Sequence, residues 1–381
     1  LIEDWNVLNL VKPCESHCCT IKIKGKNPKT CGKSAKFLKN GQYFCQIHAK
    51  SESKEHSWII PCPELRNSYL KKQSKESLIK LGNKYNMFSS VITTKKQCLE
   101  IIDKTLKERQ LEKVVKKKIN AKTVMVTGAG GTIGSELCRQ IIKLNPDKLI
   151  LMELNEFALY RIYEELSLYR NNIKIISLLS NAQDQNKLEK IFESFEVTTV
   201  YHAAAYKHVP LVEQNICEAV KNNVFGTLAV ARASINKDVS NLVLVSSDKA
   251  VRPTNIMGAT KRLAELCLQA LYSREKNDNL SFSIVRFGNV LESSGSVIPK
   301  FKNQIKNGGP VTLTHKDVSR YFMTITEAAQ LVIQAGAMGK KSEVFILDMG
   351  KSIKIKDLIY KMISLSGFTV KDKKNLNGEI E

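Results

Sequence analysis

Short runs of apolar, β-branched residues recur through the last two thirds of the chain, each followed by a stretch of helical composition. Lys122 to Val126, Lys148 to Met152, Ile173 to Leu179, Thr198 to His202, Leu242 to Val245 and Phe282 to Arg286 read as buried strands. Ser135 to Leu144 and Ala259 to Leu271 read as two of the helices between them. This alternation predicts an α/β fold, a doubly wound parallel sheet with helices on its faces. Ligands of such sheets bind outside the carboxyl ends of the strands.

The first third is patterned differently. Glu3 to Leu10 has the pattern of one strand. Residues 66–110 predict two helices around a loop, with Leu78, Ile79 and Leu81 on the first and Leu99, Ile102 and Leu106 on the second. Thr94 to Gln97 makes a capping box. Leu111 to Asn120, carrying Lys113 and Lys116 to Lys118, reads as a basic linker. The expected organisation is a small Cys-rich, lysine-rich α+β and helical region followed by a larger domain. Its parts are a Cys/His-rich segment over 1–65, a helix–loop–helix over 66–110, a linker over 111–121 and the α/β domain over 122–381.

Charge and cysteine usage sharpen that division. The net charge is +22, and residues 1–120 hold 25 Lys and Arg against 11 Asp and Glu. Seven of the ten cysteines precede residue 100. A hydrophobic share of 43% is ordinary for a globular protein. No apolar run approaches the roughly 18 residues of a membrane helix, and Glu3 and Asp4 interrupt any signal-peptide pattern. A cytoplasmic protein without a membrane partner is the expectation. The chain starts at Leu1 rather than Met, as a piece of a longer protein does.

The lead segment contains Cys14, His17, Cys18, Cys19, Cys31, Cys45 and His48. The metal set its composition suggests is zinc on Cys18 or Cys19 with Cys31, Cys45 and His48, the last two a close pair. Reduced, partly buried cysteines are the alternative, and disulfides come last because nothing indicates secretion. The surplus lysines suit a nucleic-acid backbone, and equally a solvated charged face.

Two stretches of the α/β part carry chemistry. Thr127-Gly128-Ala129-Gly130-Gly131-Thr132-Ile133-Gly134 follows the first strand directly. Glycines there permit a tight turn and let a pyrophosphate reach the N–H groups of the next helix. The second strand ends at Glu153, 19 residues beyond Gly134, where a carboxylate accepts from ribose hydroxyls and repels a 2′-phosphate, favouring NAD over NADP. Ser246-Ser247-Asp248-Lys249 then places a hydroxyl, an acid and an amine at the tip of a later strand. His202 reads as a hydrogen-bonded core histidine.

TGAGGTIGSEL, HAAAYKHVPLVEQN, NNVFGT, SSDKAVRPTNIMGATK, RFGNVLESSGSVIPKF and GGPVTLTHKDVSRYFMTI resemble, in order, the CapD/FlaA1 family of nucleotide-sugar 4,6-dehydratases. These are extended short-chain dehydrogenases/reductases of Rossmann type. The resemblance implies NAD as cofactor, UDP-N-acetylglucosamine as substrate and a homo-oligomer. It implies Lys249 as base at sugar C5, Asp248 as acid at the 6-hydroxyl, Ser247 on the C4 oxygen and Lys261 on the nicotinamide ribose. Met257 stands where most relatives keep a tyrosine. Since a thioether relays no proton, Asp248 or a water must serve the C4 hydroxyl. Gly128, Gly130, Gly131, Thr132, Ile133, Gly134, Glu153, Asn181, Ala203 and Ala204 fall on the cofactor side. Tyr206, Lys207, His208, Asn289, Ser296 and Arg320 fall on the substrate side. Ser180-Asn181 replaces the family's Gly-Asp, and Glu292 stands where glycine is usual, with Lys300 or Lys302 expected to offset its charge. An Arg-Pro-Gly-Glu-Lys-type segment is expected shortly beyond Ile380.

DWNVLNL, CGKSAKFLKNGQYFCQIHAK and the lysine-rich helices resemble the cysteine-bearing insert of RNase H-like Holliday-junction resolvases of giant viruses, and the helices a SAP-type DNA-backbone module. The paired carboxylates of such nucleases are missing. The resemblance therefore implies nucleic-acid contact without cleavage. The alternatives to a dehydratase are a 4- or 5-epimerase of the same family and a nucleic-acid-binding protein with a non-catalytic Rossmann domain.

Overall fold

The computed structural model describes residues 37–39, 42–44, 110–169, 173–275, 279–293, 295–313, 315, 317–371, 375 and 378–380. The chain divides into two compact units between Lys113 and Val114. In the first, β1 (Phe37–Lys39) pairs antiparallel with β2 (Gln42–Phe44), Phe37 opposite Phe44. The strand expected at residues 3–10, the set Cys18, Cys19, Cys31, Cys45 and His48, and the helices expected before residue 110 lie outside the described residues.

The second unit has strands β3 (Thr123–Thr127), β4 (Lys148–Glu153), β5 (Lys174–Leu179), β6 (Thr199–His202), β7 (Asn241–Val245), β8 (Ser281–Arg286), β9 (Asn289–Val290), β10 (Ser319–Arg320), β11 (Phe322–Met323), β12 (Ser342–Ile346) and β13 (Ile353–Lys354). Its helices are α1 (Thr132–Ile142), α2 (Glu156–Ser167), α3 (Gln185–Phe195), α4 (Val209–Gln214), α5 (Ile216–Val220), α6 (Gly226–Asn236), α7 (Ile256–Glu275), α8 (Val297–Lys306), α9 (Ile325–Met338) and α10 (Ile355–Leu365).

Seven strands form one sheet in the order β12-β8-β7-β6-β3-β4-β5, every neighbouring pair parallel. The central strands are apolar on both faces because helices cover both: β3 and β7 are buried along their whole length. On one face Met125, Ile150, Leu242, Leu244 and Phe282 pack with Phe192 of α3, Val230 of α6 and Leu268 of α7. Burial of each such side chain contributes about 1.5–3 kcal/mol. The six strands expected in this unit are all present, within a residue at each end. β12 is additional. As an edge strand it is half-exposed, so Ser-Glu-Val-Phe-Ile shows no buried run.

Where a linker is expected over 111–121, residues 110–119 are helical. Val115 and Ile119, four apart on one face, are buried, and Lys118 Nζ donates to Asn241 Oδ1 at 3.2 Å. Beyond β8, Phe301 and Ile305 of α8 pack on Ile355, Ile359 and Ile363 of α10 and on Ile380. Short pairings, β9 with β11 and β10 with β13, hold this smaller region together.

The chain runs outward from β3 through β4 to β5, then returns to place β6 on the other side of β3. At that reversal the connections after β3 and β6 leave in opposite directions and open a crevice. Thr127 lies level with His202, and His202 level with Leu244, so the tips of β3, β6 and β7 share one rim.

Candidate functional site

The glycine turn forms one wall. Gly128 has φ +67°, a left-handed conformation costly for any residue with a side chain, and a Cβ there would lie 2.7 Å from the Ala204 nitrogen. A Cβ on Gly134 would collide with the Gly128 carbonyl oxygen, so glycine alone lets α1 descend onto the turn. Gly131 caps α1 without a side-chain hydrogen bond, and the positive end of the helix dipole opens on the crevice. Glu153 is fixed beside the turn. Its Oε2 accepts from Gly130 N at 3.0 Å and its Oε1 from Leu154 N and Asn155 N at 2.9 and 3.1 Å.

The tip of β7 forms the opposite wall. Backbone pairing with β8 continues past the strand, Ser246 N to Val285 O at 2.8 Å and Asp248 N to Phe287 O at 2.9 Å. Asp248–Ala250 then turn as a short 3₁₀ helix capped by Ser247, whose Oγ accepts from Lys249 N. Ser247 Oγ donates to Asp248 Oδ1 at 3.0 Å. Lys249 Nζ donates to the same Oδ1 at 3.0 Å and to Asn289 Oδ1 at 3.3 Å. Lys261, on the first turns of α7, is buried and donates to Val245 O at 2.9 Å. Burial lowers its pKa to about 8, against the opposing charge of Glu265. Met257, one turn earlier, is buried with Val212 and Ala219 in an apolar nest that suits a thioether.

Both walls line one cavity of about 740 Å³. Of the expected residues, Gly131, Thr132, Ile133, Gly134, Ala203, Ser247, Lys249, Met257 and Lys261 line it, as do Lys207, Asn289 and Ser296. His208 and Tyr206 do so too. Lys207 is solvent-accessible, yet the crevice around it removes enough water to lower its proton affinity. Gly128, Gly130, Glu153, Ala204 and Asp248 are not among the cavity's lining residues; Asp248 joins it through Ser247 and Lys249, both hydrogen-bonded to its Oδ1. Asn181 is turned into its own loop, its Oδ1 accepting from Gln183 N at 2.9 Å. Arg320 differs from expectation. It is exposed on β10, donates to Ser319 O at 2.9 Å and is not part of the cavity wall.

Glu292 has φ +59°, which explains why glycine suits its position, and its carboxylate pairs with Lys302, one of the two lysines expected to offset it. His202 is a core histidine. Nδ1 and Oγ1 of Thr127 are 2.7 Å apart, Nε2 and Oγ1 of Thr227 3.1 Å, and burial with the nearby Lys261 charge lowers its pKa to about 3.

The sequence reading missed Asn223. It sits in a π-turn, Lys221–Phe225, a local widening frequent at functional sites. Its amide accepts from Tyr206 N at 2.8 Å and donates to Tyr206 O and Thr260 Oγ1, each at 3.0 Å. It thus ties the Tyr206-Lys207 loop to α7. The NNVFGT motif contains it, but helical composition alone hides a π-turn.

A doubly wound sheet with a glycine turn at its reversal and a Ser-Asp-Lys tip facing it defines the extended short-chain dehydrogenase/reductase class. Within that class, the chain belongs to the polysaccharide biosynthesis protein family, which matches residues 124–380. It is 51% identical over 255 residues to the capsular polysaccharide biosynthesis protein CapD of Staphylococcus aureus, an overlap of 67% of this chain and 42% of that protein. The chain therefore spans less than half the length of that relative. It is 32% identical over 229 residues to a UDP-glucose 4-epimerase of Rickettsia rickettsii, covering 59% of this chain and 65% of the epimerase. Among solved structures, Pen from Bacillus thuringiensis superposes with a TM-score of 0.63 at 34% identity, over 69% of this chain and 79% of Pen. Among the described residues no helix is long and apolar enough to cross a membrane, and no group of three His, Cys, Asp or Glu is placed to hold a metal ion.

Proposed function

We propose that the protein is an NAD-dependent nucleotide-sugar 4,6-dehydratase that acts on a UDP-linked N-acetylhexosamine, UDP-N-acetylglucosamine in the first instance. The observation that carries this reading is the single cavity shared by the glycine turn and Ser247, Lys249 and Lys261. The likeness to CapD, named for capsular polysaccharide biosynthesis, supports it.

The residues present fit a dinucleotide. The α1 N-terminus suits a pyrophosphate, and the Glu153 carboxylate, with three of its about four acceptor sites taken by backbone donors, keeps one for a ribose hydroxyl. An ammonium has three protons, so Lys261 retains donors for a second ribose besides its bond to Val245. When bound, the dinucleotide would supply a hydride acceptor for sugar C4 and, once reduced, a hydride donor for C6, so none is consumed over a turnover.

The remaining steps belong to the chain. Ser247 Oγ holds the C4 oxygen. Met257 cannot take up a proton, so the Asp248 carboxylate, or a water, accepts that of the 4-hydroxyl as C4 is oxidised. Lys249, hydrogen-bonded to Asp248 Oδ1, acts as the free amine that removes the proton from C5, and the Asp248 carboxyl protonates the departing 6-hydroxyl, which leaves as water.

Incubation with UDP-N-acetylglucosamine and NAD should yield a product lighter by one water in mass analysis. Lys249→Ala should lower turnover about 10²–10⁴-fold. A product of unchanged mass and altered stereochemistry would favour an epimerase, the reading suggested by the Rickettsia relative. Absence of both, with steeply salt-dependent retention on duplex DNA, would favour a nucleic-acid-binding protein.

A further inference from the structure

One carboxylate near the cavity has no part in the chemistry above. Glu265 of α7 is fully buried, directly behind the tip of β7. Its Oε1 accepts from Ser246 Oγ at 2.6 Å and from Arg286 Nε at 2.8 Å. Its Oε2 accepts from Arg262 Nη1 at 3.1 Å and pairs with Arg286 Nη2. Burying an ionised carboxylate costs several kcal/mol before its partners compensate. A packing position would be filled more simply by an apolar side chain.

We propose that Glu265 is a positioning residue for the reaction, whose carboxylate clamps Ser246 at the root of the Ser247-Asp248-Lys249 turn and supplies the counter-charge for Lys261. The clamp joins three elements at one point. Arg286 ends β8, Ser246 follows β7, and Glu265 lies one helical turn after Lys261, on the same face of α7. Lys261 in turn holds the carbonyl of Val245, the residue before Ser246. The two side chains therefore grip consecutive residues of the catalytic tip from one helix.

Burial opposes ionisation of Glu265, but the hydrogen bonds from Arg286, Ser246 and Arg262 outweigh it and keep the carboxyl below the usual range. It is charged whenever Lys261 titrates. The other charged or titratable groups about the clamp are Arg262 on α7, Arg286 on β8, Asp248 and Lys249 on the tip, and His202 on β6. Replacing Glu265 by a neutral isostere removes the opposing charge that acts on Lys261 and leaves the Arg262 and Arg286 guanidinium groups without the carboxylate they pair with.

The role assigned to Lys261 rests on the proposed function, so the test reads Lys261 directly. In the full chain, competitive acetylation of Lys261 across pH, quantified by mass spectrometry, reports its titration midpoint. Glu265→Gln should lower that midpoint by about one unit or more, and Glu265→Asp should restore most of it. NADH affinity, followed by fluorescence, should weaken at correspondingly lower pH. Arg262→Gln, at a half-exposed position, should move the midpoint upward and decides the matter if Glu265→Gln does not fold. An unmoved midpoint in either folded variant overturns the clamp. A midpoint that moves in a chain that neither binds NADH nor dehydrates the sugar overturns the proposed function and leaves the clamp standing.

Discussion

Gly134 shows how a single hydrogen atom in place of a side chain sets the geometry of the crevice. A methyl group there would meet the Gly128 carbonyl, which cannot retreat because Gly131 N also binds it at 3.0 Å. Gly134→Ala should therefore force α1 away from the turn and abolish NADH binding, measured by fluorescence titration, while the far strands stay intact. The glycines were legible in sequence because their spacing is the constraint. Arg320 was not. A motif places a residue on an element but does not say which way its side chain leaves, and Arg320 turns back to its own strand. Met257 lies between these cases. Its chemistry was readable, whereas its apolar surroundings, Val212 and Ala219, come from helices α4 and α5.

Among the elements, α7 starts three residues earlier than the sequence suggests. Gly258 reads as a breaker, yet Asn255 Oδ1 accepts from Gly258 N at 2.8 Å, and a helix so begun tolerates glycine in its first turn. The earlier start brings Met257 onto the helix and sets Lys261 one turn beyond it. The π-turn before α6 acts similarly on the facing wall. Asn223→Ala would leave both backbone polar groups of Tyr206, together with Thr260 Oγ1, short of a partner. We expect a stability loss of about 2 kcal/mol or more, read by calorimetry, and a larger rise in KM for the nucleotide sugar than fall in kcat. β12 escaped notice because an edge strand needs no continuous apolar run.

For the molecule as a whole, the buried ionisable groups set the response to acid. His202 titrates at about 3 when folded, below its ordinary value of 6.5. As pH falls through this window the unfolded chain gains a proton that the folded one refuses, so the stability present above pH 6.5 is progressively lost. Glu265, held below the carboxylate range, adds a further loss in more acid solution. The melting temperature should fall from pH 6.5 toward pH 4.5, and His202→Gln should flatten that part of the curve in a differential scanning calorimeter. Fold class and most of the rim were legible because both follow from strand period and strand ends. The clamp behind the rim was not, since it joins residues 246, 265 and 286, which only the folded sheet brings together.

The turn-back of the chain between β3 and β6 divides labour along the polypeptide. On the proposed reading, the glycine turn and Glu153 that meet the dinucleotide are encoded before residue 205, whereas the Ser-Asp-Lys tip and Lys261, the second ribose contact, come after residue 240. On that reading, evolution can rewrite the fate of the sugar in the later stretch while inheriting the earlier one unaltered. Descendants of such a chain would share a cofactor long after they had ceased to share a product.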